Sequence, residues 1–402
     1  MTTESAQYAI VGAGLTGAAA AWRLAQSGAE VILLERDRPA SVLGSSHGSA
    51  RIFRYAYPDR FSTDLVVRAK QGWDELEAAA GERLITPSGA LDFGALRKPR
   101  ELAEVLGAAG VEHELLSAAE AGSRWPQLEF DTEALWHPGA GVIDAESAVE
   151  AMLELARRAG ARVLSGWEVA RVRGGGSPAS TARGRRGYTL VSSTGSTVRA
   201  EQVIVAAGGW LPALLAELDL PRAFLDRMPQ FEVRQENAFH FPYRAPGDCG
   251  EPAADAAASW PTFIYKDERI QMYSLPGGRD AEFRGQKMAE YNGGKIIGSA
   301  RVQDRRIDPV NRERVRGFAR EFAPGLIPDP YAETTCLFTN VPRDDMIIDR
   351  AEGITVVSPC SGQGAKFAPL LGELVADLVA GSETAVERFR AVGQRFAEVV
   401  RR

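Results

Sequence analysis

Cysteine and histidine are scarce in this chain: three Cys and four His in 402 residues. Cys249, Cys336 and Cys360 are too few for a disulfide framework, which points to a reducing cytoplasm. No metal site is expected. No apolar run approaches the roughly 18 residues that a membrane span needs, and no membrane partner is expected. The first residues, Met1-Thr-Thr-Glu-Ser-Ala6, offer neither a basic n-region nor an apolar h-region, so no signal peptide is expected. An excess of basic charge is missing too. Lys and Arg number 47 against 53 Asp and Glu, a net charge of −6, which argues against a nucleic-acid footprint. What remains is the composition of an ordinary soluble enzyme or binding protein, 45% hydrophobic and 25% charged. Its length suits two domains or one elaborated domain. The expected partner is a small molecule, and the expected assembly a monomer or small homo-oligomer.

The most informative segment is the first. Tyr8-Ala-Ile-Val-Gly12-Ala-Gly14-Leu-Thr-Gly17 is followed by Val31-Ile-Leu-Leu-Glu35. The spacing predicts a buried parallel strand, a glycine turn, a helix over about 15–28, a second strand and a terminal acid. Gly12 permits the tight turn, Gly14 lets the backbone approach a pyrophosphate, and Gly17 lets the helix pack close to the strand. The helix N-terminus favours the phosphates. Glu35 stands where a carboxylate accepts from ribose hydroxyls and disfavours a 2′-phosphate, so NADP is not expected. FAD and NAD both remain open at this point.

Further along, 64–80, 98–109 and 147–159 read as amphipathic helices. Val203-Ile-Val-Ala-Ala-Gly208 reads as a buried strand running into a glycine turn. Residues 226–300 differ: short alternating runs at 230–234, 262–265 and 270–275, punctuated by Pro and Gly, predict an antiparallel sheet. The α/β style returns with a strand over 353–359, the turn Ser361-Gly362-Gln-Gly364 and a helix over about 367–380. The stretch 174–187 reads as a long mobile hairpin loop. The expected fold is therefore α/β. A discontinuous Rossmann-type dinucleotide-binding domain (1–84, 145–225 and 335–402) receives an inserted, mainly antiparallel substrate domain (85–144 and 226–334).

Four separated segments then agree: the fingerprint; Gly44-Ser-Ser46-His47-Gly-Ser-Ala-Arg51-Ile-Phe-Arg54-Tyr-Ala-Tyr57; the 203–210 strand; and Thr335-Cys336-Leu-Phe-Thr339 with Ser361-Gly-Gln-Gly-Ala-Lys366-Phe367. With these, the chain resembles the monomeric sarcosine oxidase and N-methyltryptophan oxidase family of FAD-dependent amine oxidases. The resemblance runs nearly end to end. It implies FAD, held by the glycine turn, Glu35, Arg36, Ser46, His47, Val169, Gly208, Gly362, Gly364 and Lys366, and attached covalently through Cys336. Cys360 is the rival attachment site, and a loop histidine is an equal reading of His47. The resemblance also implies that Arg54 and Lys366 grip a substrate carboxylate, that Arg51 lies near the flavin ring, and that Tyr273 faces the active site. It implicates Lys295 in oxygen reduction, although an edge-strand lysine is a competing reading. The extra residues 277–288 leave Lys287 as the other candidate. The implied reaction takes a secondary amine or imino acid to an imine and O₂ to H₂O₂. A dehydrogenase with a different electron acceptor is the alternative.

Overall fold

The computed structural model describes residues 4–176, 187–244, 260–382 and 387–391. Strand β1 (Glu4–Val11), helix α1 (Leu15–Gln26) and strand β2 (Val31–Leu34) open the chain. β2 is wholly buried, as is the Tyr8–Val11 end of β1. That is why neither half alternates in sequence: strands covered on both faces are apolar throughout. Strand β3 (Thr197–Val205) lies parallel to β1 on its other side. The strands Arg162–Leu164 and Ile354–Ser358 extend the parallel sheet beyond β2 and β3. α1 is an alanine helix whose Ala18–Ala21 are fully buried, so it fits tightly between the sheet and the helices Ala145–Arg158 and Ala368–Ala380. The strands Val169–Gly176 and Gly187–Ser192 pair antiparallel, and the second of them joins β3. The expected loop between them falls at 177–186, outside the described residues.

A second, nine-stranded sheet is antiparallel except for one parallel pair, Thr262–Lys266 with Ala90–Phe93. Its spine is β4 (Glu232–Pro242). β5 (Gln271–Pro276) pairs with β6 (Gly285–Glu290), and β6 pairs with one end of β4. The short β7 (Lys295–Ile297) pairs with the other end of the same edge. Helix α2 (Pro309–Phe322) covers one face. On the far edge, β8 (Ala332–Asn340) runs along β4 in the register Glu236 opposite Cys336. The strand bearing Cys336 is thus part of the antiparallel sheet, although 335–402 reads from sequence as one dinucleotide-domain segment.

Alternation along β4 sorts its side chains. Phe239 and Phe241 join Val315, Phe318 and Phe322 of α2 in one apolar cluster, and Asn237 hydrogen-bonds Asn311 at 3.2 Å. Arg234, Glu236, Ala238 and His240 therefore face the other way. Directly opposed residues share a face. The registers Glu236–Cys336, His240–Lys287 and Leu275–Lys287 thus place Glu236, Cys336, His240, Lys287 and Tyr273 on one surface, turned away from α2.

Candidate active site

A cleft runs from the glycine turn and reaches that surface at Cys336. Gly12, Gly14, Glu35, Arg36, Ser46, Arg51, Val169, Gly208, Cys336, Gly362 and Gly364 all line it. Glycine is required at two of the turn positions. A Cβ on Gly12, whose φ is +100°, would stand 2.6 Å from the Ala206 carbonyl oxygen, and one on Gly17 would stand 1.9 Å from that of Gly12. Gly17 thus acts beneath the turn, by letting α1 approach. The Glu35 carboxylate accepts from the backbone N–H of Ala13 at 2.8 Å and of Asp37 at 2.9 Å, which pins it at the cleft floor. Arg36 stacks 4.6 Å from the Trp210 ring. The Trp210 indole N–H, buried in the cleft wall, has no partner among the described residues. A glycine cradle at a helix N-terminus, an oriented carboxylate and an unsatisfied donor suit a dinucleotide.

Two cysteines approach the cleft differently. The Cys336 sulfur has only a weak contact, 3.7 Å to the Leu337 carbonyl. Cys360 accepts from Thr339 N–H at 3.3 Å, and burial pushes its thiol up.

Arg51 is held by three carbonyls, those of Ala50 (2.9 Å), Ser45 (3.1 Å) and His47 (2.6 Å). Lys287 also donates to the Ala50 carbonyl, at 3.3 Å, and its side chain is 5% exposed. Burial, then the Arg51 charge, pushes the Lys287 ammonium down to about 8. Asp280 opposes this. It hydrogen-bonds Ser49, and although burial disfavours its charge, Lys287 and the Ser49 hydroxyl hold its carboxyl low. His47 belongs to this cluster instead of lining the cleft. Burial and the two cations push it down to about 3, so it is neutral.

Lys295 lies elsewhere. It sits on β7 with its side chain 46% exposed, and its Nζ is 2.6 Å from Asp304. It is a solvent-facing lysine on a short strand, and the lysine on the cleft-facing surface is Lys287. The segment 277–288, read as extra, folds as a tight turn followed by β6, the strand that presents Lys287. Tyr273 lies half-buried on that surface, its phenol pushed up by desolvation and by the nearby Cys336 and Glu236.

Arg54 and Lys366 approach each other from distant parts of the chain. Lys366 is 4% exposed and donates to the Gln363 carbonyl at 2.8 Å. Burial, then Arg54, holds its ammonium well below the usual lysine range. Arg54 donates to the Ala56 carbonyl. Among the described residues neither cation makes an ion pair. Arg97 also donates to the Ala56 carbonyl, at 3.0 Å, and binds Asp92 at 2.6 Å. His137 Nε2 stands 3.1 Å from the other oxygen of Asp92. Burial disfavours the Asp92 charge, but Arg97 and His137 keep the carboxyl well below its usual range. Sequence reasoning missed Asp92, Arg97, His137 and Glu236. The signal for Asp92 and Glu236 was a charged residue inside a strand, and for His137 a histidine at a strand's end; Arg97 lies in a turn and gave none. Among the described residues no cluster of His, Cys, Asp and Glu is arranged to hold a metal, and no helix is long and apolar enough to cross a membrane.

The model of the FAD dependent oxidoreductase family (DAO) matches residues 7–378. The chain is 27% identical over 395 residues to the monomeric sarcosine oxidase of Bacillus sp. (strain NS-129), covering 93% of each protein. It is 29% identical over 384 residues to the N-methyl-L-tryptophan oxidase of Yersinia pestis (strain Pestoides F), covering 91% of this chain and 93% of that one. The solved structure of NikD, described as an unusual amino acid oxidase essential for nikkomycin biosynthesis, superposes with a TM-score of 0.80 at 23% identity, covering 97% of this chain and 98% of that one. With the glycine cradle, the oriented acid and the two-sheet fold all in place, the chain belongs to the FAD dependent oxidoreductase family, and FAD is its cofactor.

Proposed function

We propose that this protein oxidises the C–N bond of a secondary amine or imino acid that carries a carboxylate, yielding an imine and, with dioxygen as acceptor, H₂O₂. The observation that carries this reading is the pair Arg54 and Lys366. Lys366 is buried and Arg54 half-buried, and neither has an ion-pair partner among the described residues; that arrangement costs free energy, and an arriving carboxylate removes the cost. Arg offers a planar fork and Lys a point charge, a combination suited to one carboxylate. Arg97, neutralised by Asp92, supports Arg54 from behind through their shared contact at the Ala56 carbonyl.

FAD, held by the glycine turn and Glu35, would supply a two-electron acceptor for the C–H bond beside the nitrogen, one that dioxygen can reoxidise. Lys287 and Arg51 place positive charge on the cleft-facing side of the sheet, where it favours negative charge developing on oxygen. Cys336, uncommitted and on the cleft wall, is the proposed attachment point for the flavin. Cys360 is committed to a backbone donor. The product imine hydrolyses in water once released.

The test is turnover in air with paired substrates, such as an N-methyl amino acid and the same amine without its carboxylate. The acid is expected to yield peroxide in proportion to oxygen consumed, and its partner little. Equal turnover of both would overturn the carboxylate grip. Flavin reduction without peroxide would assign a different electron acceptor.

A further inference from the structure

Glu236 stands on the surface that carries Lys287, Tyr273 and Cys336, directly across the ladder from Cys336. Cβ atoms of such opposed pairs are about 4.5–5.5 Å apart. The residue is 1% exposed. One carboxylate oxygen, Oε2, accepts from Gly294 N–H at 2.9 Å. The other, Oε1, is buried and has no donor among the described residues.

The neighbouring charges are committed to other partners. Arg234, two residues back on β4, binds Glu232 and the carbonyls of Asn292 and Gly294. Glu290, at the end of β6, is taken by Asn311 and Arg314 of α2. Lys287 and Arg51 bind the Ala50 carbonyl. Tyr273 lies close enough for the Glu236 charge to act on its phenol. Buried polar atoms are nearly always satisfied, so an orphaned carboxylate oxygen on the sheet face that meets the cleft at Cys336 marks a place for a ligand donor. Burial, together with Glu290 and Glu232, pushes the Glu236 carboxyl up to about 7, which Gly294 N–H and Arg234 only partly offset. It therefore changes charge near neutral pH.

We propose that Glu236 is the acceptor for the substrate's N–H group, so that a zwitterionic substrate is held by its carboxylate at Arg54 and Lys366 and by its nitrogen at Oε1 of Glu236. This rests on the carboxylate-grip reading above. It narrows the substrates to amines that keep at least one N–H when bound. The ionised carboxylate also provides a base: the ammonium N–H bond breaks, a carboxyl O–H bond forms, and the nitrogen keeps its lone pair. No oxidant or further reactant is consumed in that transfer.

The test uses the flavin-loaded enzyme and two unreactive ring acids of the same size, pyrrole-2-carboxylate and furan-2-carboxylate. They share the carboxylate and differ in N–H against ring oxygen. Binding is read from the flavin spectrum across pH 6–9. Wild type is expected to prefer the pyrrole acid by about tenfold or more. The preference should grow as pH rises through about 7. Taking the ratio cancels ionisations that act on both acids alike. Glu236→Leu should abolish the preference and leave furan-2-carboxylate affinity within about twofold. Should that variant fail to hold flavin, Glu236→Gln serves, with the pH dependence of the ratio expected to vanish. Equal affinity for the two acids in wild type, or a preference that survives in Glu236→Leu, overturns the proposal. Failure of both acids to bind wild type overturns the carboxylate grip itself.

Discussion

The charged groups of Arg54 and Lys366 lie against one phenol ring, 4.7 and 5.5 Å from the centroid of Tyr57. Arg54 belongs to the segment just after the first strand of a small sheet, Lys366 to the turn before the last long helix, and only the fold brings them together. An aromatic face eases two like charges but does not neutralise them. A substrate carboxylate would. Arg54→Ala and Lys366→Ala should each raise the substrate dissociation constant by ~10–150-fold, the worth of one charge-assisted hydrogen bond. Flavin content should stay near that of wild type. Spectral titration under anaerobic conditions checks both halves.

Lys287 and Lys295 make an internal contrast, one buried beside Arg51 and the other in solvent against Asp304. Lys287→Met should slow reaction of the reduced enzyme with oxygen by on the order of 100-fold, the usual cost of removing a placed charge. Anaerobic reduction by substrate should change far less. Lys295→Met should behave as wild type in both half-reactions. Stopped-flow measurement of each half separates them.

The same lysine sets a pH dependence. Its ammonium is pushed down to about 8, so the charged form prevails below that pH and is lost above it. The rate constant for reoxidation by oxygen should fall as pH rises through about 8, and the Lys287→Met profile should be flat there. A wild-type rate that rises with pH in that window would contradict the role.

Cys336 should carry the flavin. Acid-precipitated wild type should stay yellow, and its digest should yield one flavin-bearing peptide containing Cys336. Cys336→Ser should release its flavin on precipitation, whereas Cys360→Ser should not. Label on a Cys360 peptide would move the attachment.

Asp92 is a stability prediction. It is fully buried and satisfies both Arg97 and His137. Asp92→Ala leaves Arg97, its side chain only 12% exposed, without its partner and should cost about 3–5 kcal/mol, seen as a lowered denaturation midpoint. Substrate affinity should weaken too, because Arg97 backs Arg54 at the Ala56 carbonyl.

Local patterns were legible in sequence where one short segment carries the whole signal. Gly12, Gly14, Gly17 and Glu35 act within one strand–turn–helix–strand unit, so spacing alone placed them. Arg54 and Lys366 were legible through the family resemblance, not through any local pattern. Lys287 was obscured because the tight turn before it shifts the spacing, so the resemblance fell on Lys295 and left Lys287 as the second candidate. Glu236 and Asp92 were hidden for another reason. A charged residue in a strand reads as solvent-facing until the registers show that both faces are covered. The sheet allegiance of the Cys336 strand was equally out of reach, since pairing with β4 is a long-range fact.

The most direct measurement mixes the enzyme with an N-methyl or cyclic amino acid in the absence of oxygen and follows the flavin absorbance. Stoichiometric bleaching is expected, followed on admitting air by recovery of the oxidised spectrum and one H₂O₂ per flavin. The matching amine without a carboxylate should leave the spectrum almost unchanged. An enzyme that bleaches equally with both, or with no carboxylate-bearing amine at all, would contradict it.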